Sequence, residues 1–434
     1  MNINSIKNNF SVKIFSLQAV QLIRTGSVFL VSIFLANVYR NTEIISQYET
    51  LSLLASALTY FWVSGIMTTF LPFYHHADET KQKSVIFNTF ISLSLISVAS
   101  ALLMYLAGIW FFKSMTHYLF MAFAIFILFN SPVFLIEYIY LVKNKNKSLL
   151  VYSVISFGLQ IISLCLPLYF GLSLLSALFY LNIFAFLRFL FLLILIWRNS
   201  VFVIDTNVQK AHLKKSLPIM LSLLIGGSTE IVNGFVVRYF SNNNDFAIFR
   251  YGAREFPLVR LLANAMSIVI SGEIAASLLK GNVNETLTKL KSATSRLMHV
   301  LFPLTIILLI FSKPLFRLLY TDVFVDSYKI FNVYLLLIVS RLFFPQTILM
   351  GLQKNSKIME ASIVEFAVNA VLAIVLIQFF GIAGVPFATL SAYYINQFLL
   401  YKTVHRSGYK ITTYTPVKTW IAYSIASWIV FFIV

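Results

Sequence analysis

About every thirty residues the chain enters an apolar run of about twenty residues that carries little or no charge. A helix of that length rises about 30 Å at 1.5 Å per residue, which is the thickness of a bilayer's hydrocarbon core. Thirteen such runs occur, at 13–38, 50–73, 84–108, 117–141, 149–170, 173–197, 216–238, 246–275, 297–312, 328–351, 357–380, 383–404 and 417–434. The pattern predicts an all-α, polytopic integral membrane protein of about 13 transmembrane helices.

The loops between runs alternate between basic and nearly uncharged, which sets an orientation because Lys and Arg are retained on the cytoplasmic side. With the N-terminus inside, the cytoplasmic segments hold 21 of the 33 Lys and Arg, and the opposite side holds six: Arg40, Lys113, Arg238, Lys313, Arg317 and Lys329. The remaining six lie inside spans.

The net charge of +18 therefore sits mostly in loops, where insertion and anionic lipids account for it, and nucleic-acid binding is excluded. With 59% hydrophobic and 11% charged residues there is too little polar surface for a soluble chain of 434 residues. Cys165 is the only cysteine, so intrachain disulfides and cysteine-based metal sites are excluded. The first run is long and carries Gln18, Gln21 and Arg24, which is unlike a cleaved signal peptide, so it is expected to remain as the first membrane helix. No phosphate-binding loop, zinc-ligand motif or nucleophile elbow occurs, and no cofactor, metal or enzymatic activity is expected.

The longest hydrophilic stretches, about 198–215 and 276–296, are too short to fold as domains. The first of them divides the chain into a six-helix lobe at 1–197, a cytoplasmic connector at 198–215, a second six-helix lobe at 216–404 and an extra C-terminal helix at 405–434. Shifting by 210 residues places Lys147 on Lys357, Val154 on Val364, Phe170 on Phe380 and Gly171 on Gly381. Either the halves are a parallel repeat around a central cavity, as in several transporter folds, or two helical hairpins simply look alike.

Ionisable residues inside spans persist only where they face protein or water. The eighth span carries Arg250, Arg254, Glu255 and Arg260, a load of about 10 kcal/mol against insertion. As one helix it would place Arg250, Arg254, Pro257 and Asn264 on one face, with a kink at Pro257. The first span has a stripe of Gln18, Gln21, Thr25 and Ser32 flanked by Arg24, about 16 Å from the cytoplasmic end. Arg341 and Arg188 are also deep. Each arginine has two readings, an anion site or a structural pair with a buried acid or helix-end carbonyl. Arg188 fits the second, because Phe186, Leu187, Phe189 and Leu190 around it offer no polar stripe.

The deep acids are fewer: Glu137, Glu230, Glu255 and Glu365. Glu230 lies among Gly226, Gly227, Ser228, Thr229 and Asn233. Glu230 with Asn233 could couple transport to an ion, or Glu230 could neutralise Arg250 or Arg254. Six deep arginines against four glutamates make an enclosed cavity favour an anion.

The chain resembles the oligosaccharide-unit (O-antigen type) flippases of the multidrug/oligosaccharidyl-lipid/polysaccharide exporter superfamily. The resemblance is carried by Gln18 to Arg24, Gln47-Tyr48-Glu49, a Ser64-Gly65 turn, Ser216 to Ser222 with Pro218, Phe246 to Glu255, and Phe380-Gly381 to Thr389. It implies a transporter that turns an undecaprenyl-pyrophosphate-linked oligosaccharide over the bacterial inner membrane by alternating access. The pyrophosphate would meet Arg24, Arg250, Arg254, Arg260, Arg341 and Gln21, the lipid tail would stay among membrane lipids, and a polymerase of the same pathway is the partner. The related lipid II flippases carry arginines on the first and eighth helices, as here. They also carry one on the second, where this chain has none between 50 and 73.

A cation-coupled drug exporter of the same fold is the first alternative, but it should show more cavity acids than arginines. A membrane polysaccharide polymerase is the second. It needs a large outward loop, and the longest here, about 313–327, offers only Lys313, Arg317, Asp322 and Asp326.

Overall fold

Each of the thirteen apolar runs falls on helix in the computed structural model, and four of them are broken inside. The structure describes the backbone of all residues except 1–2, 39–40, 113–114 and 281. It describes side chains except at those positions and at 3–15, 76, 79–80, 257–258, 261, 265, 268, 276 and 278–280. Arg40, Lys113 and the side chains of Lys7, Lys13 and Lys280, which enter the loop-charge count, lie outside the described residues. No strand occurs among the described residues.

Two compact units follow one another, residues Met1–Gly227 and Ser228–Val434. The first holds α1 (Ile3–Val38), α2 (Thr42–His76), α3 (Glu79–Phe111), α4 (His117–Val133), α5 (Leu135–Val142), α6 (Asn146–Tyr169), α7 (Leu174–Asn199) and α8 (Thr206–Gly226). The second holds α9 (Thr229–Phe240), α10 (Asn243–Gly252), α11 (Pro257–Lys280), α12 (Val283–Tyr320), α13 (Ser327–Leu335), α14 (Ile338–Arg341), α15 (Pro345–Gly351), α16 (Asn355–Phe380), α17 (Gly384–Arg406), α18 (Ile411–Tyr414) and α19 (Val417–Ile433).

Eight helical stretches are long and apolar enough to cross a bilayer alone, or ten when the bent pairs α8–α9 and α13–α15 each count as one span. One of the eight, Asn355–Arg406, is the hairpin α16–α17, and the shorter apolar helices Leu262–Ala275 and Val417–Ile433 complete the thirteen expected runs. The lipid-facing surface is visible directly. Leu95, Val98 and Leu102 on α3 and Val151, Val154 and Ile155 on α6 are exposed, which in a bilayer is the favourable state for them.

The turns that flank α6 and α16 have similar backbones. Asn144 before α6 and Gln353 before α16 both adopt positive φ, 56° and 57°, and Gly171 and Gly381 after those helices have φ of 77° and 59°. Both turns preceding the helices close alike, with Lys145 N donating to Tyr140 O and Lys354 N to Leu349 O, each at 2.9 Å. Gly384 is needed for packing, since a Cβ there would lie 2.3 Å from Leu376 O.

Several expectations are corrected. Ser64-Gly65 is not a turn but lies inside α2, where Gly65 lets α8 approach: a Cβ would lie 2.5 Å from Met220 Cγ and 3.1 Å from its backbone N. The second half of the 198–215 stretch is helical from Thr206. Asn88 clasps its entry, donating to Val203 O and accepting from Asp205 N, both at 2.9 Å, while Asp205 Oδ1 accepts from Asn207 N and Val208 N. α8 then packs on α2 through buried Thr69, whose Oγ1 lies 2.6 Å from Ser216 Oγ and 3.1 Å from His212 Nε2.

The eighth run is two helices, not one kinked helix. α10 ends at Gly252 and α11 begins at Pro257, whose missing N–H costs nothing at a first-turn position. Arg250 and Arg254 therefore do not share a helical face. The seventh run is likewise broken, at Gly227–Ser228.

Candidate functional site

In the first unit, α1 carries Arg24 into contact with α5. Its Nη2 lies 2.5 Å from Glu137 Oε1, and the carboxylate is buried. Two rings flank the guanidinium, with the Phe134 centroid 4.4 Å and the Phe157 centroid 5.5 Å from Cζ. Gln21 and Thr25 are exposed on the same helix, whereas Ser32, further along the expected stripe, is buried and donates to Val28 O.

Arg188 on α7 has a different setting. Its Nη1 donates to Asn130 Oδ1 at 3.2 Å and Gln160 Oε1 at 3.3 Å, and Nη2 donates to Tyr152 OH at 3.4 Å. Neither the buried acid nor the helix-end carbonyl expected for it is present among the described residues.

In the second unit, four residues of non-helical backbone between α10 and α11 present Glu255. Arg341, at the end of α14, takes both its oxygens, Nε to Oε1 at 2.6 Å and Nη2 to Oε2 at 2.8 Å. Nη2 also donates to Tyr393 OH at 2.8 Å, and the guanidinium sits 4.6 Å from that ring's centroid. Arg250, on α10, and Arg254, in the break, are half-buried.

Glu230 stands in the first turn of α9, where a negative charge suits the helix N-terminus. Its partner is Arg260 of α11 at 3.6 Å, not Arg250 or Arg254, and the two side chains are 64% and 50% exposed. One turn on, Asn233 is fully buried. It donates to Thr389 Oγ1 at 2.7 Å and accepts from Asn369 Nδ2 at 2.9 Å, in a cluster of neutral groups that includes Tyr334. Glu365 accepts from Asn396 Nδ2. Among the described residues no three His, Cys, Asp or Glu side chains come together as a metal site.

Glu137, Glu230 and Glu255 are thus taken by arginines and Glu365 by an amide, and a further acid that the sequence reading did not count, Glu49, is buried within α2. Tyr393, Tyr152 and Gln160, which complete the arginine settings, had no charge signal in the sequence to mark them.

The family model described as "Lipid II flippase MurJ" matches residues 58–434. The chain belongs to the MurJ lipid II flippase family. As a MurJ family member it is a multi-pass membrane transporter and not an enzyme. No curated protein sequence matches it. Among solved structures it is similar to "Lipid II flippase MurJ, inward closed conformation", with TM-score 0.68, 20% identity, and 97% of this chain and 92% of that one covered. It is also similar to an inward-facing multidrug resistance MATE family transporter of the MOP superfamily, with TM-score 0.69, 14% identity and coverage of 91% and 98%. A MOP superfamily transporter from Pyrococcus furiosus, described as having a binding pocket of reverse polarity, matches with TM-score 0.59, 14% identity and coverage of 92% and 95%. At these identities the likeness is one of fold, shared by flippases and drug exporters alike.

Proposed function

We propose that this MurJ family member flips an undecaprenyl-pyrophosphate-linked oligosaccharide repeat unit across the bacterial inner membrane for surface polysaccharide assembly. Its N-terminus is cytoplasmic and its two lobes alternate in access. The observation that carries the reading is that six arginines within the helices outnumber the deep glutamates Glu49, Glu137, Glu230, Glu255 and Glu365. A pyrophosphate satisfies that excess, whereas the amphipathic cations typical of drug exporters do not. Arg24, Arg250, Arg254, Arg260, Arg341 and Gln21 are the proposed head-group residues, and Glu230 with Asn233 the proposed coupling residues. The sugars travel in the polar interior, the tail stays in the bilayer, and a polymerase of the same pathway consumes the product.

A second reading, lipid II as cargo, is favoured by the family match over residues 58–434. Against it, α2 carries no Lys or Arg, where the resemblance to lipid II flippases implies an arginine. Reconstituted liposomes with fluorescent cargo on one leaflet separate the two readings. Faster turnover of a lipid-linked oligosaccharide than of lipid II supports the first, the reverse order supports the second, and export of a cationic dye with neither lipid moved overturns both.

A further inference from the structure

Arg188 is a cation without a counter-charge among the described residues, deep within a membrane helix. α7 spans 26 residues, and Arg188 lies about 21 Å from its start, beyond the reach of either membrane surface. It occupies the buried face of that helix. Leu181, Ala185, Leu192 and Ile196 line that face, and Arg188 fills the slot between the inner two.

Its donors are incompletely used. A guanidinium offers five N–H groups, and Arg188 makes three long hydrogen bonds, all to neutral oxygens on Asn130, Gln160 and Tyr152. Its Nε is buried with no partner. Ser156 Oγ is also buried without a partner, and it stands on α6 midway between Tyr152 and Gln160, one turn from each. The Phe157 and Phe184 ring centroids lie 5.7 and 5.6 Å from the guanidinium carbon. Phe157 is the ring that also flanks Arg24, whose charge Glu137 already answers.

We propose that Arg188, with Asn130, Tyr152, Ser156 and Gln160, is an anion subsite of the first unit that receives a phosphate group of the polyprenyl-pyrophosphate cargo. This rests on the head-group reading above. The Nε edge, with the second N–H of Nη2, is the bidentate face that a phosphate takes, and the Ser156 hydroxyl donates to a third oxygen. Bilayer phospholipid carries the same chemistry, but its phosphate stays at the surface, so the depth of Arg188 selects the cargo.

The decisive variant supplies the missing acid without removing the cation. Asn130→Asp sets a carboxylate where the amide oxygen now lies 3.2 Å from Nη1. A purely structural Arg188 would gain from this. Binding of undecaprenyl pyrophosphate, with undecaprenol as the tail-only control, is measured by native mass spectrometry on the full-length protein in detergent. Asn130→Asp should keep or raise the melting temperature while weakening pyrophosphate binding by about tenfold or more. Arg188→Lys should fold and weaken it less, and Ser156→Ala, which loses no existing bond, should weaken it several-fold at unchanged melting temperature. Wild-type affinity in Asn130→Asp and Ser156→Ala overturns the subsite and leaves the flippase reading intact. Equal binding of undecaprenol and its pyrophosphate by wild type overturns both. Displacement by phosphatidylglycerol at comparable concentration reassigns the site to bilayer lipid and overturns it.

Discussion

Arg341 meets Glu255 edge to edge, one nitrogen on each carboxylate oxygen at 2.6 and 2.8 Å, with Glu255 held on the only non-helical stretch of the eighth apolar run. The pair is largely buried, with the side chains 21% and 8% exposed. Removing one partner strands a charge. Arg341→Met should lower stability by about 3–5 kcal/mol, and Arg341→Met with Glu255→Gln together should cost much less than the sum of the two single changes. Thermal melts of the four proteins in detergent give the coupling. Additive losses would mean that the two side chains act independently.

Glu230 and Arg260 present the opposite case. At 3.6 Å and mostly exposed, their pair contributes about 1 kcal/mol or less to stability. Glu230→Gln should leave abundance and melting temperature nearly unchanged while reducing transport. Full export with unchanged pH and sodium dependence would remove the coupling role.

Arg24→Ala should abolish or sharply reduce surface glycan while lipid-linked units accumulate on the cytoplasmic side, because it takes a head-group cation away. Since Glu137 is then left buried and uncompensated, abundance should also fall. Adding Glu137→Gln should restore abundance but not export. If the double variant exports normally, Arg24 serves only to neutralise Glu137. Arg254→Ala and Arg260→Ala should show the export defect as well, and Arg260→Ala, whose pair with Glu230 is half exposed, should do so with less loss of protein.

The contact between α2 and α8 gives a packing test. Gly65→Ala forces Met220 aside, and its backbone N at 3.1 Å cannot yield as its side chain can, so the expected loss is about 1–3 kcal/mol, read as a lower melting temperature. Wild-type stability would show that α8 is free to move away.

Topology is checked by reporter fusions. Alkaline phosphatase should be inactive at position 210 and active in the 109–116 loop, and the reverse result would invert the orientation.

How much was legible follows from the kind of signal. The helical runs are written in twenty-residue stretches of apolar side chains, so all of them fall on helix. Breaks were less legible: Pro257 reads as a kink mid-helix, but it also fits the start of a new helix, and only the tertiary placement of Glu255 decides between them. Pairings such as Arg24 with Glu137 are 113 residues apart and follow from packing, to which periodicity is blind. The groups that hold Arg188 were not legible from its sequence neighbours. The ring it meets on its own helix, Phe184, lies four residues away, and the oxygens that hold it are on α4 and α6.

The break between α10 and α11 bears on how the chain enters the membrane. Glu255 leaves the ribosome 86 residues before Arg341, the residue that answers its charge, and Arg24 precedes Glu137 by 113. Neither segment reaches its final electrostatic state when it first meets the translocon. The two halves must wait, partly hydrated and shielded from lipid, for later helices to arrive. Biogenesis of this protein is therefore a matter of keeping early helices beside the insertion machinery until their partners are made, and a chain truncated before residue 341 should be cleared by membrane quality control even though most of its spans are already present.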